Sequence, residues 1–366
     1  AFIGCSMVSG FFFDGNAPGL RRDVFAGCAR STIYYQAGAT GWGKDFGGRP
    51  TAVWDPESPF VCTTNKGALT LAKYVGPEAV VAIPDSISGL PVTAIGNFAF
   101  QNCTHLADVT VPKTVSAIGP YAFRNCSGLA RVTLSDGVAN IADQAFNGCS
   151  SLAGIALPAS VARIGTTAFI NCSSLTSLVA DAASAAYRSE DGVLFNKDLT
   201  ALVCCPAGKT GKYSVPSSVT NIGTHAFESC GRLTGVDLPS GLAGIGSWGF
   251  ARCSSLTRVT LPERVTALPD HAFSGCAKLA AADLPSRLTV IGAWAFQDCV
   301  DLATVAIPAS VADIRDGAFW HCLGLTRVAL PASVKQLSGS AFAHSYGLSS
   351  IDVDAVNPVF SGEPGG

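Results

Sequence analysis

The stretch Leu256 to Lys278, LTRVTLPERVTALPDHAFSGCAK, decides the reading of this chain. Val259 and Leu261 alternate with Arg258 and Thr260 at the period of two that a strand requires. Pro262 has no donor and ends that strand at a corner. The closing Ala272-Phe273-x-x-Cys276 piece is too short for more than a turn or a single helical turn. The same pattern, L-x-x-V-x-L-P-x-x-V-x-x-I-G-x-x-A-F-x-x-C-x-x, returns at a fixed step. Phe100, Phe123, Phe146 and Phe169 are 23 residues apart, and so are Phe227, Phe250, Phe273, Phe296, Phe319 and Phe342. A unit this short cannot bury its own apolar face, but stacked copies bury one another's. The fold class expected is therefore α/β but β-rich: a solenoid of stacked 23-residue rungs, each with two short extended edges and a tight third side. The Gly that follows Ile in most copies (Gly96, Gly119, Gly165, Gly223, Gly246, Gly292) is expected to supply a positive φ at its corner.

Composition agrees with a continuous core. Of the 366 residues 48% are hydrophobic and only 14% charged, which argues against disorder. A net charge of −2 gives no electrostatic reason to expect nucleic acid or an anionic membrane as partner. No apolar run is long enough for a membrane-spanning helix. No signal peptide is visible, and the chain opens with Ala1-Phe2-Ile3-Gly4-Cys5, the middle of a repeat, so its true start is expected to lie upstream.

The period breaks twice. Residues 1–60 are expected to be the C-terminal part and cap of a first repeat array, because the aromatic and Gly-rich T-I-Y-Y-Q-A-G-A-T-G-W-G-K-D-F-G-G-R-P after Cys28 leaves the pattern and a terminal rung must be covered. A short linker at 55–59 follows, and 61–366 form a second array. Between Phe169 and Phe227 the step is 58, one repeat plus 35 residues. This surplus is expected to be an inserted hairpin unit near 176–212, with turns at Asp191-Gly192 and Lys197-Asp198 around the strand starting at Val193. At the far end, I-D-V-D-A-V-N-P-V-F-S-G parallels the start of that insertion, so the chain is expected to stop inside a further unit.

These motifs resemble the BspA-like leucine-rich repeats of bacterial surface proteins and of some parasitic protists. The V-x-x-I-G-x-x-A-F-x-x-C core, the D-G-V-L-F-N-K-D insertion and the T-G-W-G-x-x-F-G-G-R-P-T segment carry the resemblance over nearly the whole chain. It implies a leucine-rich-repeat solenoid, secreted or exposed at the cell surface, concerned with adhesion or recognition. No shared catalytic residues, cofactor or metal come with it.

Three columns of the repeat are candidates for chemistry. Eleven of the fourteen cysteines, from Cys5 and Cys28 to Cys322, share one position. They read as a buried thiol column, as disulfides between rungs, or as a metal site, with no C-x-x-C pair to favour zinc. The place two before the Phe holds Phe98, Tyr121, His225, Trp248, His271 and Trp294, with Gln144, Thr167, Gly317 and Ser340 in the remaining rungs. Rings on successive rungs would form a strip suited to binding, or would merely pack over the turn. On the strand, Thr110, Thr133, Ala156, Asp237, Thr260, Asp283, Ala306 and Ala329 would form a flat face able to admit another chain or a glycan, or simply a solvated sheet face. Gly208-Lys209-Thr210 is not a phosphate loop, because Val203 stands where the first Gly is needed. The five His residues show no spacing that suggests a nucleophilic triad.

The function expected is recognition or adhesion without catalysis, with a host or neighbouring-cell protein or a glycan bound through the solenoid face. The alternative is a structural spacer or stalk that presents another domain.

Overall fold

The computed structural model describes residues 2–6, 8, 10–19, 23–29, 31–36, 38–54, 58–65 and 67–360, which form strands and turns but no helix. Of the linker expected at 55–59, residues 55–57 lie outside the described residues. The chain divides into two compact units, Ala1–Cys149 with Ser160–Ala168, and Ser150–Ala159 with Phe169–Gly366.

In the first unit one sheet runs from Gly10–Phe13 through Thr32–Gln36, Arg49–Trp54, Phe60–Asn65, Ala68–Tyr74 and Leu90–Ile95 to Ala117–Ile118, Asn140–Ile141 and Arg163–Ile164. Its pairings are parallel at both ends and antiparallel where Phe60–Asn65 meets Arg49–Trp54 on one side and Ala68–Tyr74 on the other. The change of repeat phase near residue 60 is thus a place where the chain reverses direction. The compact units divide the chain elsewhere. Near the chain start Trp42 stacks on Tyr35 at 5.1 Å and donates its indole N–H to Gly15 O at 2.9 Å, over the cluster of Phe25, Cys28 and Ile33.

The second unit shows the rung most plainly. Arg258–Thr260 pairs in parallel with Ala281–Asp283, Val259 opposite Ala282, and Ala267–Leu268 pairs with Val290–Ile291, Leu268 opposite Ile291. Both offsets equal the repeat, so each apolar side chain lies on its own copy in the next rung. Leu256, Val259, Leu261, Val265, Leu268, Phe273 and Cys276 are all buried in one core cluster that continues to Ala341. Phe250, Phe273 and Phe296 stack at 5.2 and 5.5 Å with planes within 9°.

The third side of the rung also bonds to its neighbour. Trp248, Phe250 and Arg252 donate their N–H to Asp270, Ala272 and Ser274 of the next rung, while Gly249, Ala251 and Cys253 fold back on Gly246, Trp248 and Phe250. This alternation turns every second N–H along the stack and puts two residues of most rungs at positive φ, such as Trp248 (60°) and Arg252 (58°). The corner glycines expected to carry positive φ do not; they are there because rungs approach closely. A Cβ on Gly246 would lie 2.4 Å from Thr224 N, and on Gly165 2.4 Å from Asp143 N.

Between the rungs of the second unit, Tyr187–Glu190 and Val193–Asn196 form an antiparallel hairpin around Asp191 and Gly192, whose φ values of 49° and 73° fit a tight two-residue turn. Val193–Asn196 pairs antiparallel with Ala201–Cys204, which rejoins the stack by pairing in parallel with Asn221–Ile222. Lys209 clasps the hairpin: its ammonium donates to Asp191 O at 2.5 Å and Oδ2 at 2.7 Å.

Candidate functional site

The column two residues before each Phe is held by the backbone just described. Phe98, Tyr121, His225, Trp248, His271 and Trp294 all have φ between 58° and 61°, and each donates its N–H to the next rung. Gly and Asn take this left-handed conformation readily, whereas for other residues it costs about 1–2 kcal/mol and for bulky ones it is an outlier. The second positive-φ column shows the cheap choice: Asn102, Asn125, Gly148, Asn171 and Gly275 are among its members. The aromatic column takes the expensive one at Phe98 and Tyr121 and in four successive rungs from His225 to Trp294.

In the first unit Phe98 and Tyr121 stack at 4.9 Å with planes 6° apart, Gln144 reaches Tyr121 Oη at 3.4 Å, and the Arg124 guanidinium lies over the Tyr121 ring. Phe98 is exposed. In the second unit His225, Trp248, His271 and Trp294 stack in sequence at 6.0, 3.9 and 6.4 Å, with planes within 18°. The six residues singled out by spacing therefore fall into one pair and one run of four.

The run is longer than the spacing indicates. Gly317 occupies the next place in the column, and the Trp294 ring lies across it, so that a Cβ there would come within 2.3 Å of Trp294 Cε3. Trp320 continues the ladder at 5.4 Å, tilted by 59°, His344 follows at 4.1 Å, and Tyr346 closes it edge-on at 88°. His344 Nδ1 and Tyr346 Oη are 2.7 Å apart. These three residues sit at other places in their rungs, so no single column reveals them; the signal is a cluster of rings around the Phe of the last two copies.

Polar groups pin the ladder's flank. Glu228 is buried, 2.5 Å from His225 Nδ1 and 3.3 Å from Arg252 Nη1. Asp298 lies 2.7 Å from His321 Nδ1. His271 Nδ1 is buried without a partner, and burial between the two indoles pushes the His271 pKa below its usual value, although Asp270 and Glu228 pull it upward. The neutral ring is the stable form there.

The carboxylates of the strand column are saturated. Lys212 pairs with Asp237 at 2.8 Å, where Ser214 also donates, and the Lys212 hydrogen bond in first place holds the Asp237 carboxyl below its usual range. Thr260 and then Arg258 do the same for Asp283, the guanidinium bonding both carboxylate oxygens at 2.9 and 2.8 Å. A depression of about 660 Å³ opens between Leu233–Asp237 and Arg258–Thr260, which belong to separate sheets. Of the charges that line it, Lys212 pairs with Asp237, Arg258 with Asp283, and Glu263 accepts from Ser286.

The cysteine column is a set of buried thiols. None of the fourteen cysteines is joined in a disulfide, and burial pushes Cys322 up to about 12 and Cys299 well above the usual value. Among the described residues no group of three or more His, Cys, Asp or Glu could hold a metal ion.

Parallel rungs that recur at a step of 23 residues, with stacked Phe rings and a column of thiols in the core, define a leucine-rich-repeat solenoid. The model of the BspA type leucine rich repeat region matches residues 84–190, 209–326 and 302–358, and the chain belongs to that family. A leucine rich cell surface protein of Faecalibacterium prausnitzii has a similar structure, with 26% identity and a TM-score of 0.53 over 85% of this chain and 96% of its own. A leucine-rich-repeat protein of Eubacterium ventriosum shares the fold at 24% identity and a TM-score of 0.57, covering 79% of this chain and 93% of its own. No curated protein matches the chain.

Proposed function

We propose that the chain is a non-catalytic recognition or adhesion protein of the cell surface, which binds a protein or glycan through its solenoid surface, with the ladder from His225 to Tyr346 as the contact. The observation that carries this is the choice of large rings at a backbone position that favours Gly or Asn. Stacking offsets part of the strain, at about 0.5–1.5 kcal/mol per pair, but a purely structural column would reach the same stability more simply with Asn. Bulky residues kept in a strained conformation cluster where function needs them. Membership of the family and the likeness to a bacterial cell surface protein support a place outside the cell. The paired charges of the strand face, Lys212 with Asp237 and Arg258 with Asp283, support a role without catalysis. The reversal of strand direction supports 1–60 as the end and cap of a first array, with 61–366 as a second carrying its insertion near 176–212.

The test is Trp248→Ala and Trp294→Ala in adhesion assays and on glycan and host-protein arrays. Loss of binding with melting temperatures within a few degrees of wild type supports recognition. Unchanged adhesion would leave the chain a spacer that presents another domain.

A further inference from the structure

Resting on that reading, we infer that the ladder's solvent edge binds an extended polyproline-type segment of a protein partner. The ring faces are already in use. From His225 to Trp294 the planes are within 18° of parallel and each ring stacks on the next, so the run turns a row of edges outward. A sugar lying flat on an aromatic needs a free face, and the facing sides of Trp248 and His271, 3.9 Å apart, are taken by each other.

The edges carry donors. Trp248, Trp294 and Trp320 are each half-buried, and among the described residues no protein group accepts their indole N–H. A polyproline II chain is the complementary partner, since it has no internal hydrogen bonds and all its carbonyls point outward. The period fits as well. Trp248 and Trp294 are two rungs apart, about 9.6 Å at ordinary strand spacing. Polyproline II repeats every three residues, about 9.3 Å, so the same side of the ligand meets both indoles. A β-strand, repeating at about 6.8 Å, and an α-helix, at about 5.4 Å, fall out of step.

Charge sets the ligand's flanks. Glu228, Asp270, Asp298 and Asp316 border the run, four acids against two arginines: Arg252 answers Glu228, and Arg315 lies 2.9 Å from Asp313 and 3.9 Å from Asp270, while His321 meets Asp298. The acidic border favours Lys or Arg beside the prolines.

The experiment measures fluorescence anisotropy of a labelled decaproline flanked by arginines, titrated with the full chain. A Gly-Ser peptide with the same arginines and a β-1,4-linked glucan oligosaccharide run in parallel. Saturable binding of the decaproline alone is expected, weakened at least about tenfold by Trp248→Ala or Trp294→Ala. Trp294→Phe, which keeps the ring and loses the N–H, should weaken it by a smaller factor. Equal binding of the Gly-Ser peptide, or full decaproline binding by Trp248→Ala, overturns the inference. If the oligosaccharide binds and the decaproline does not, the inference falls while the recognition reading stands. If no probe binds and the Ala variants keep full adhesion, both fall.

Discussion

Pairing Phe273→Leu with Phe296→Leu tests the stack directly. Both rings are fully buried, and each is sandwiched between neighbours: Phe273 at 5.2 Å from Phe250 and 5.5 Å from Phe296, Phe296 at 5.3 Å from Phe319. Leucine keeps most of the apolar volume and removes the ring contacts, so each single change should cost about 1–3 kcal/mol, from repacking and two lost stacks. The 273–296 contact is lost in both singles and only once in the double. The double variant should therefore cost about 0.5–1.5 kcal/mol less than the two singles together. Phe250→Leu with Phe296→Leu is the control, since Phe273 separates those rings, and additivity within about 0.5 kcal/mol is expected. Native-state hydrogen exchange at residues 273 and 296, whose N–H groups bond to Ala295 O and Ala318 O at 2.7 Å, reads the opening of the rungs in question. A cycle that closes for the adjacent pair while the alternate pair couples would refute rung-on-rung transmission of stability.

Acidification should weaken the fold through His271. Because its pKa is lowered by burial, the unfolded chain binds more protons than the folded one just below the ordinary value of 6.5. Stability is then at its full value above that pH and falls as pH drops through it; melting temperatures from pH 7.5 to 5.5 should decline less in His271→Phe, and an unchanged slope would count against this origin. The column thiols should resist alkylation: with native protein at pH 8, half-buried Cys5 and Cys103 react first, even with Cys103 raised to about 11, and Cys299 reacts only in denaturant. Mass spectrometry showing Cys299 modified as fast as Cys5 would contradict the dry column.

The fold was legible because its signal repeats: one Phe or one Cys says little, but a step of 23 between Phe227 and Phe342 leaves few alternatives to stacking. The glycine reading failed for a physical reason. Sequence shows that Gly246 is small, but not whether smallness serves a dihedral angle or a neighbour, and here the neighbour is the Thr224 backbone. Positive φ fell instead on residues such as Trp248 and His271, against local preference, because bonding between rungs on the turn side dictates it. Local propensity cannot reveal a conformation imposed from the next rung. The same limit hid Trp320, His344 and Tyr346, which join the ladder only because Gly317 leaves room for the Trp294 ring.

Why a thiol fills the column next to the Phe follows from what it touches. In most rungs the Phe carbonyl accepts the N–H of the Cys three residues on, as Phe250 O does from Cys253 at 3.3 Å, and its second lone pair faces the dry interior. The Cys of the next rung supplies the missing donor: Cys276 Sγ to Phe250 O at 3.1 Å, Cys299 to Phe273 O at 3.3 Å, Cys322 to Phe296 O at 3.1 Å. Alanine would leave the lone pair bare, and a hydroxyl would close it better at a greater desolvation penalty. Ser345 takes that option in the last copy, at 2.7 Å from Phe319 O. A thiol is the compromise, a small apolar body with one weak donor. Because the Sγ atoms of Cys276, Cys299 and Cys322 each reach a Phe carbonyl, the column can run through successive layers as thiols, and its repetition is a requirement of packing.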